Sequence, residues 1–174
     1  GYYTNAAGTL TKFGDVARTN LVLWSQVIGA HASSITHGTA VDGATIAPDG
    51  TTTATSFVPD ATNNVHRFLG LGGTITVVDA TAYVASFYVK ANGYTEVGFR
   101  ENASTGAYAS FNCSGAGTVL ASGNGTTSTS ITALANGWYR VAIGLTSSGT
   151  SFRYDVLNLA PTYTTGDVEG TWTG

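Results

Sequence analysis

Apolar and polar residues alternate with a period of two along much of the chain. The clearest run covers residues 83–90, where Tyr83, Ala85, Phe87 and Val89 fall on one side and the residues between them on the other. Strict alternation of this kind predicts a half-buried β-strand. Helical periodicity is nearly absent from the sequence, so the pattern as a whole predicts an all-β protein.

Turn residues divide the sequence into about ten short strands. Asn92 and Gly93, between two of the clearest runs, are typical of a two-residue β-hairpin turn. Gly72 and Gly73 are predicted to end a strand, and residues 29–49, rich in small side chains, are predicted to lie between strands. The strands are predicted at residues 9–13, 20–28, 51–58, 65–71, 83–90, 96–101, 107–114, 118–121, 130–134, 137–146 and 151–159.

Short strands without crossover helices pair into antiparallel sheets that pack face to face. No repeat of fixed period is present, which argues against a propeller or a β-helix. The sequence therefore predicts a two-sheet antiparallel jelly-roll sandwich at residues 15–174, preceded by an extended N-terminal lead at residues 1–14.

The apolar side of each alternating run supplies the expected core. The only cysteine, Cys113, leaves no partner for an intramolecular disulfide and is predicted to be a small buried residue. The predicted core residues are Phe87, Val89, Val97, Phe99, Phe111, Tyr139, Val141 and Ile143.

Charged residues make up only 10% of the chain, so its polar surface is built mainly from Thr, Ser, Asn and Gly. Such a surface is typical of extracellular β-proteins. The net charge is −3 and the seven cations are scattered along the sequence, which argues against nucleic acid as a partner. No apolar stretch approaches the roughly 18 residues that a membrane span needs. The chain begins with Gly1 and not Met, which indicates a processed product, an excised domain or part of a longer chain.

Five short phrases, spread over residues 1–146, occur in an order that resembles a domain of many tailed-phage virion proteins. That family is similar to carbohydrate-binding modules, so the resemblance implies a jelly roll displayed on a tail or head fibre, in contact with glycans. The resemblance implies no catalytic residues in this chain. The chain departs from the family at residues 27–45 and in its closing strand. The phrases are RTNLVLWS at residues 18–25, APDGTTTA at 47–54, HR at 66–67, FYVKA at 87–91 and NGWYR at 136–140.

Sugar rings have apolar faces and hydroxyl rims, so their binding sites combine aromatic platforms with polar side chains. One outward face has this composition if the strands near residues 83–90, 96–101, 107–114 and 137–146 share a sheet. The favoured alternative is that the aromatic members pack inside the sandwich or at an interface. The candidate glycan-binding residues are Tyr88, Lys90, Arg100, Tyr108, Asn112, Trp138 and Arg140.

The sequence leaves two functions open. The favoured one is a non-enzymatic structural subunit of an extracellular or virion surface fibre, which forms a homo-oligomer or a filament. An altered closing strand leaves a sheet edge unpaired, and an unpaired edge recruits extended segments. The alternative is an independent glycan-binding module of a phage tail or head fibre. The residues predicted to contact another copy are Tyr2, Tyr3, Leu10, Phe13, Tyr163 and Trp172.

The sequence predicts no catalytic site. Glycoside hydrolysis needs two carboxylates at a defined separation, whereas most acids here lie beside Gly, Pro or Asn in turns. Glu96 and Arg100 fall on one strand face, which predicts an exposed ion pair. No cofactor is required, but Ca²⁺ is the candidate cation because aspartates in β-proteins often bind it. Its candidate ligands, which have no diagnostic spacing, are Asp42, Asp49 and Asp155.

Three Asn-X-Ser/Thr sequons occur, at Asn102, Asn112 and Asn124. In a chain so rich in Thr, Ser and Asn, this pattern also arises by chance. If the producing cell glycosylates the protein, Asn102 and Asn124 are the predicted exposed acceptors.

Overall fold

The computed structural model describes residues 2–4, 10–12, 21–22, 28–32, 34–62, 64–158 and 172–173. These ranges contain fourteen strands, one four-residue helix (α1, Ile28–His31) and one 3₁₀ turn (Ala135–Gly137). The all-β prediction is therefore confirmed. The strands are β1 (Tyr2–Thr4), β2 (Leu10–Lys12), β3 (Ser34–Thr36), β4 (Gly38–Thr45), β5 (Ala54–Pro59), β6 (His66–Thr76), β7 (Ala82–Lys90), β8 (Glu96–Glu101), β9 (Tyr108–Asn112), β10 (Thr118–Gly123), β11 (Thr126–Ala133), β12 (Trp138–Thr146), β13 (Ser151–Asn158) and β14 (Trp172–Thr173).

Twelve of these strands form two six-stranded antiparallel sheets. Sheet I has the order β10-β9-β8-β13-β6-β3, and sheet II has the order β11-β12-β7-β14-β5-β4. The lead contributes β1 and β2, which pair with each other so that Tyr3 lies opposite Thr11. The tail contributes β14, which lies inside sheet II between β5 and β7.

The two sheets pack face to face through one apolar core. Phe57 of sheet II contacts Phe68 of sheet I with ring centroids 4.9 Å apart, and Phe87 of sheet II meets Phe99 of sheet I at 4.8 Å. Phe111 is completely buried between the sheets. Burial of one such side chain contributes about 1.5–3 kcal/mol, so this interface is the main source of stability.

The predicted core is confirmed. Seven of its eight members are buried, and Phe87 is half-buried against the same cluster. Ser86 is exposed and Lys90 is half-buried, so the register of β7 is the predicted one. Cys113 is buried as expected, and desolvation raises the pKa of its thiol to about 12.

The predicted hairpin at Asn92 and Gly93 is wrong. The strands on either side of it, β7 and β8, belong to different sheets, so the connection crosses the sandwich. Core packing explains the difference: Val89 and Val97 both point into the interior, but from opposite sides. The turn signal located a reversal of the chain without specifying which strands pair.

Two other segments differ from the predicted strand pattern. Residues 29–49, which were predicted to lie between strands, contain β3 and β4. The strand predicted at residues 20–28 is not present at Leu21 and Val22, and Ile28 begins α1; residues 23–27 lie outside the described residues. Small side chains in β4 gave little alternation, so this strand left no period-two signal.

Strand β6 continues through the glycines that were predicted to end it. Gly70 and Gly73 have φ values of +66° and +73°, and the pairing of β6 with β13 shifts register on both sides of Tyr154. Extra residues in one strand form β-bulges, which glycine accommodates because it adopts positive φ without strain. The glycines therefore mark bulges inside a long strand.

Glu101 organises the loop that joins β8 to β9. Its side chain is fully buried and accepts hydrogen bonds from the backbone N–H groups of Ala103 (2.6 Å) and Thr105 (2.7 Å). Ser104 donates both its N–H and its hydroxyl to the same carboxylate. Burial alone would raise the pKa of Glu101, but the hydrogen bonds from Ala103, Ser104 and Thr105 outweigh it and lower the pKa below the ordinary value of 4.5.

None of the helices in the described part of the chain has the length and apolar character of a membrane span.

We expect Glu101→Gln to lower the free energy of unfolding at pH 7 by about 2–3 kcal/mol, because a neutral amide accepts these bonds less well and adds a buried donor. The lowered pKa sets the sign of the pH effect. The stabilisation by Glu101 is complete above the unfolded pKa and is lost as pH falls through the lower folded value. Urea unfolding at a series of pH values should therefore show a shallower acid loss of stability in Glu101→Gln.

The matched control is Glu96→Gln, at the exposed start of the same strand. It should change the free energy of unfolding by less than about 0.5 kcal/mol. Equal effects of the two substitutions would show that Glu101 does not hold the loop.

Candidate functional site

The predicted glycan-binding residues are divided between the two sheets. Tyr88 lies on β7 and Arg140 on β12, both in sheet II, whereas Arg100 lies on β8 and Tyr108 on β9, both in sheet I. The outer faces of packed sheets point in opposite directions. The single combined face, which required these strands to share a sheet, therefore does not form.

The sheet II half presents little aromatic surface. Trp138 is only 2% exposed, so its ring is not available as a sugar platform. Arg140 lies opposite Tyr88, and its Nη2 donates to Ser86 Oγ at 3.1 Å. Tyr88 remains 43% exposed.

The outer face of sheet I carries more polar binding groups, because three arginines lie on adjacent strands there. Arg67 is on β6, Arg153 on β13 and Arg100 on β8, and β13 runs between the other two strands. Each alternates with core residues such as Phe68 and Tyr154, so all three side chains are on the outer face. We call Arg67, Arg100, Arg153, Asp155 and Tyr108 the arginine face.

Asp155 lies at the centre of the arginine face. It is completely buried, and Arg100 Nη2 donates to its Oδ2 at 2.7 Å. Its Oδ1 accepts the N–H of Gly70 at 3.1 Å, because the bulge in β6 turns this N–H towards it. The ion pair that was predicted between Arg100 and Glu96 is thus replaced by a bond from Arg100 to a buried carboxylate on the neighbouring strand.

The other two arginines have no such partner. Among the described residues, the guanidinium groups of Arg67 and Arg153 form no hydrogen bond and no ion pair. The Nε atoms of Arg67, Arg100 and Arg153 are all buried without an acceptor. Because each residue is only half-buried as a whole, the remaining guanidinium donors face outward.

Tyr108 and Asn112 extend this face over β9. Tyr108 lies directly opposite Arg100 and is 37% exposed. Its ring lies over Gly123 of β10, where an added Cβ would come within 3.0 Å of the ring. Asn112 lies opposite Glu96, and its Oδ1 accepts the hydroxyl of Ser114 at 2.8 Å. An aromatic ring, an amide and guanidinium groups thus share one surface.

Arg67 and Arg153 were not among the predicted site residues, because the cations are scattered along the sequence. In fact three of the seven cations lie on one sheet face. They are far apart in sequence, and only the order of strands in the sheet brings them together. A prediction of that order, not a local motif, would have been needed to find them.

The three Ca²⁺ candidates lie apart and are already hydrogen-bonded. Asp42 accepts N–H groups of Gly29 and Ala30 at α1, and Asp49 accepts the N–H and hydroxyl of Thr51. Asp155 accepts hydrogen bonds from Arg100 and from the N–H of Gly70. No group of three or more His, Cys, Asp or Glu side chains with metal-binding geometry is found among the described residues.

The sequons differ in exposure. Asn124 is exposed, with φ of +51°, in the turn between β10 and β11. Asn102 is half-buried, and its N–H donates to the carbonyl of Arg153 at 2.7 Å. Asn124 is therefore the more accessible of the two predicted acceptors.

Only part of the predicted assembly set can be placed. Tyr2 and Leu10 lie in the paired strands of the lead, and Trp172 pairs with Phe57 within sheet II. Phe13 and Tyr163 lie outside the described residues.

Comparison of the sequence with protein-family models finds no match, and comparison with curated proteins finds none either.

Removal of one partner from the Arg100–Asp155 pair should be costly, because it leaves a buried carboxylate without a counter-charge. We expect Arg100→Met to lower the free energy of unfolding by about 2 kcal/mol, less than for a fully buried pair because a third of Arg100 is exposed. Arg140→Met, on the opposite outer face, should cost less than about 0.5 kcal/mol.

Urea denaturation measures both effects. In the double variant Arg100→Met/Asp155→Leu, part of the lost stability should return, since no charge is then left buried. If the stability lost in the double variant equals the sum of the losses in Arg100→Met and Asp155→Leu, the two residues are not coupled and this prediction is wrong.

Proposed function

We propose that the chain is a non-enzymatic structural subunit of an extracellular or virion surface fibre, in which identical copies join by exchange of a β-strand. The observation that carries this proposal is the side of β7 that faces β14. On that side, among the described residues, only Lys90 has a strand partner, which is Thr173. Thr173 pairs on its other side with Ser56 of β5.

Among the described residues, β7 has no strand partner on the side that faces β14 from Ala82 to Val89. Strand β5 lies beside only the end of this stretch, because Ser56 is level with Lys90 and β5 begins at Ala54. Tyr83, Ala85 and Phe87 pack against the core here but stay half-buried. Backbone groups without a ladder partner favour the addition of an extended segment. We call this side of β7, from Ala82 to Val89, the β5–β7 slot.

The proposed occupant of the β5–β7 slot is the lead, residues 1–14, of a neighbouring copy. Within the part of the chain that the structure describes, β1 and β2 pair only with each other, over three residue pairs. An isolated two-stranded hairpin is marginally stable in water, so its release costs little. A segment donated from one copy to the next makes a head-to-tail contact, which builds an open filament unless its rotation closes a ring.

The assignment of a non-enzymatic role is supported by what the carboxylates do. Asp49, Asp60 and Asp79 each accept a backbone N–H within their own turn, and Glu101 holds the loop after β8. These bonds use the carboxylates to fix turns. A jelly-roll connectivity and display on a virion or cell exterior belong to the same proposal. The alternation of strands between sheets from β5 to β8 supports the connectivity.

A second candidate function is an independent glycan-binding module. The arginine face favours it, because Tyr108 offers a partly exposed ring next to the guanidinium of Arg100. Rings with adjacent hydrogen-bonding groups suit the apolar faces and hydroxyl rims of sugars. This candidate needs no contact between copies.

The fibre proposal predicts concentration-dependent assembly. The full chain should form oligomers or filaments in light scattering and electron microscopy, and deletion of residues 1–14 should yield monomers, because the slot then loses its donor. A free peptide of residues 1–14, added in excess, should shorten the assemblies of the full chain by occupying the β5–β7 slot.

Two controls distinguish an effect of the sequence of residues 1–14 from an effect of the length of this segment. A chain whose residues 1–14 are replaced by a Gly/Ser segment of equal length should stay monomeric, and a scrambled peptide should not shorten the assemblies. If the deletion variant assembles as well as the full chain, or the full chain is monomeric at high concentration, the fibre role is wrong.

A further inference from the structure

We propose that the arginine face binds a polysaccharide that carries carboxylate groups. This inference rests on the glycan-binding candidate function and is independent of strand exchange, because the arginine face belongs to sheet I and the β5–β7 slot to sheet II.

The charge of the ligand follows from the unused donors. Arg67 and Arg153 have guanidinium groups without an acceptor among the described residues. Among the described residues, three carboxylates lie on the same strands of sheet I or next to them: Asp155 is bound by Arg100, Glu101 is enclosed by its own loop, and Glu96 lies at the other end of β8. A ligand with acceptor oxygens would supply the hydrogen-bond acceptors that these two guanidinium groups lack.

The shape of the guanidinium favours carboxylates. Its planar fork donates two parallel hydrogen bonds to a carboxylate. In Arg67 and Arg153 the Nε is buried without an acceptor, which leaves the terminal N–H groups as the donors available to a ligand. Arg100 already makes a charge-assisted bond of 2.7 Å to a carboxylate on this same face.

The spacing of the two arginines calls for a ligand with more than one carboxylate. Arg67 lies opposite Leu157, which is four residues along β13 from Arg153. At about 3.3 Å per residue this separation is about 13 Å, too far for one carboxylate to reach both groups. A chain of repeating acidic units places a carboxylate at each arginine.

The aromatic and amide groups indicate a sugar polymer. The ring of Tyr108 is held over Gly123 and beside Arg100, which fixes it as a flat platform. Asn112 lies on the same face four residues further along β9, opposite Glu96, so its amide can contact only a ligand that extends along the strand. A carboxylate-bearing polysaccharide combines the apolar ring face, the hydroxyls and the regular charge that this surface accepts.

The test uses polygalacturonate, hyaluronate and polysialate, each compared with its own methyl ester, which keeps the sugar backbone and removes the charge. Calorimetry at low ionic strength should detect binding to at least one acid and at least about tenfold weaker binding to its ester. Binding should weaken as salt is raised, because exposed charges are screened. Arg67→Gln and Arg153→Gln should each weaken it at least about fivefold.

Arg140→Gln, on the opposite outer face, is the matched control and should change the affinity less than about twofold. Arg100 is left unchanged because it neutralises Asp155. Equal binding of acid and ester would overturn the charge inference while the glycan-binding function stands. Absence of binding to all six polymers, or equal losses in Arg140→Gln and Arg67→Gln, would overturn the site itself and leave the assembly proposal untouched.

Discussion

The whole structure depends on the packing of two sheets through one apolar interface. Once Phe57, Phe99 and Phe111 face inward, the period of two sends every second residue of each strand outward. The residues on the outer faces are therefore determined by which residues of each strand face the core. On the outer face, the register of β8 and β13 places Arg100 directly opposite Asp155. On the inner face, their neighbours Phe99 and Tyr154 stack with ring centroids 5.1 Å apart.

Charges in this protein stabilise local geometry where the core cannot. With only 10% charged residues, few carboxylates are present, and most of those described hold a backbone segment in place. Glu101 collects the N–H groups of a loop that has no strand partner, and Asp155 takes an N–H that a bulge releases from the ladder. Burial of an uncompensated carboxylate would be costly, so each is placed where donors converge.

The local part of the fold was predictable from the sequence, and its long-range part was not. Strand β8 and the inward side of β7 follow directly from alternation, which is a property of neighbouring residues. Strand β4 was missed because its small residues carry no alternating apolar signal. The hairpin at Asn92 was wrong because a turn signal records a reversal of the chain and not the pairing partner.

The candidate site shows the same division between local and long-range information. Arg100, Tyr108 and their outward direction were predictable, since each belongs to an alternating run next to core residues. Arg67 and Arg153 were not, because their position beside Arg100 depends on β13 pairing with both β6 and β8. Trp138 had the residue type of a sugar platform, but it is buried, and alternation along its own strand does not predict this because Arg140, on the same side of β12, is exposed.

The positions of the β5–β7 slot and the arginine face give the two proposals a common physical logic. The slot lies within sheet II, and the face covers the outside of sheet I, so growth of a filament would not bury the arginines by strand exchange itself. Each added copy would then present one more row of guanidinium groups along the same fibre. A polymeric ligand that engages several copies at once gains affinity through effective concentration without any new contact. Weak recognition by a single face, through Arg67, Arg153 and one partly exposed ring, is therefore compatible with strong attachment of an assembled fibre.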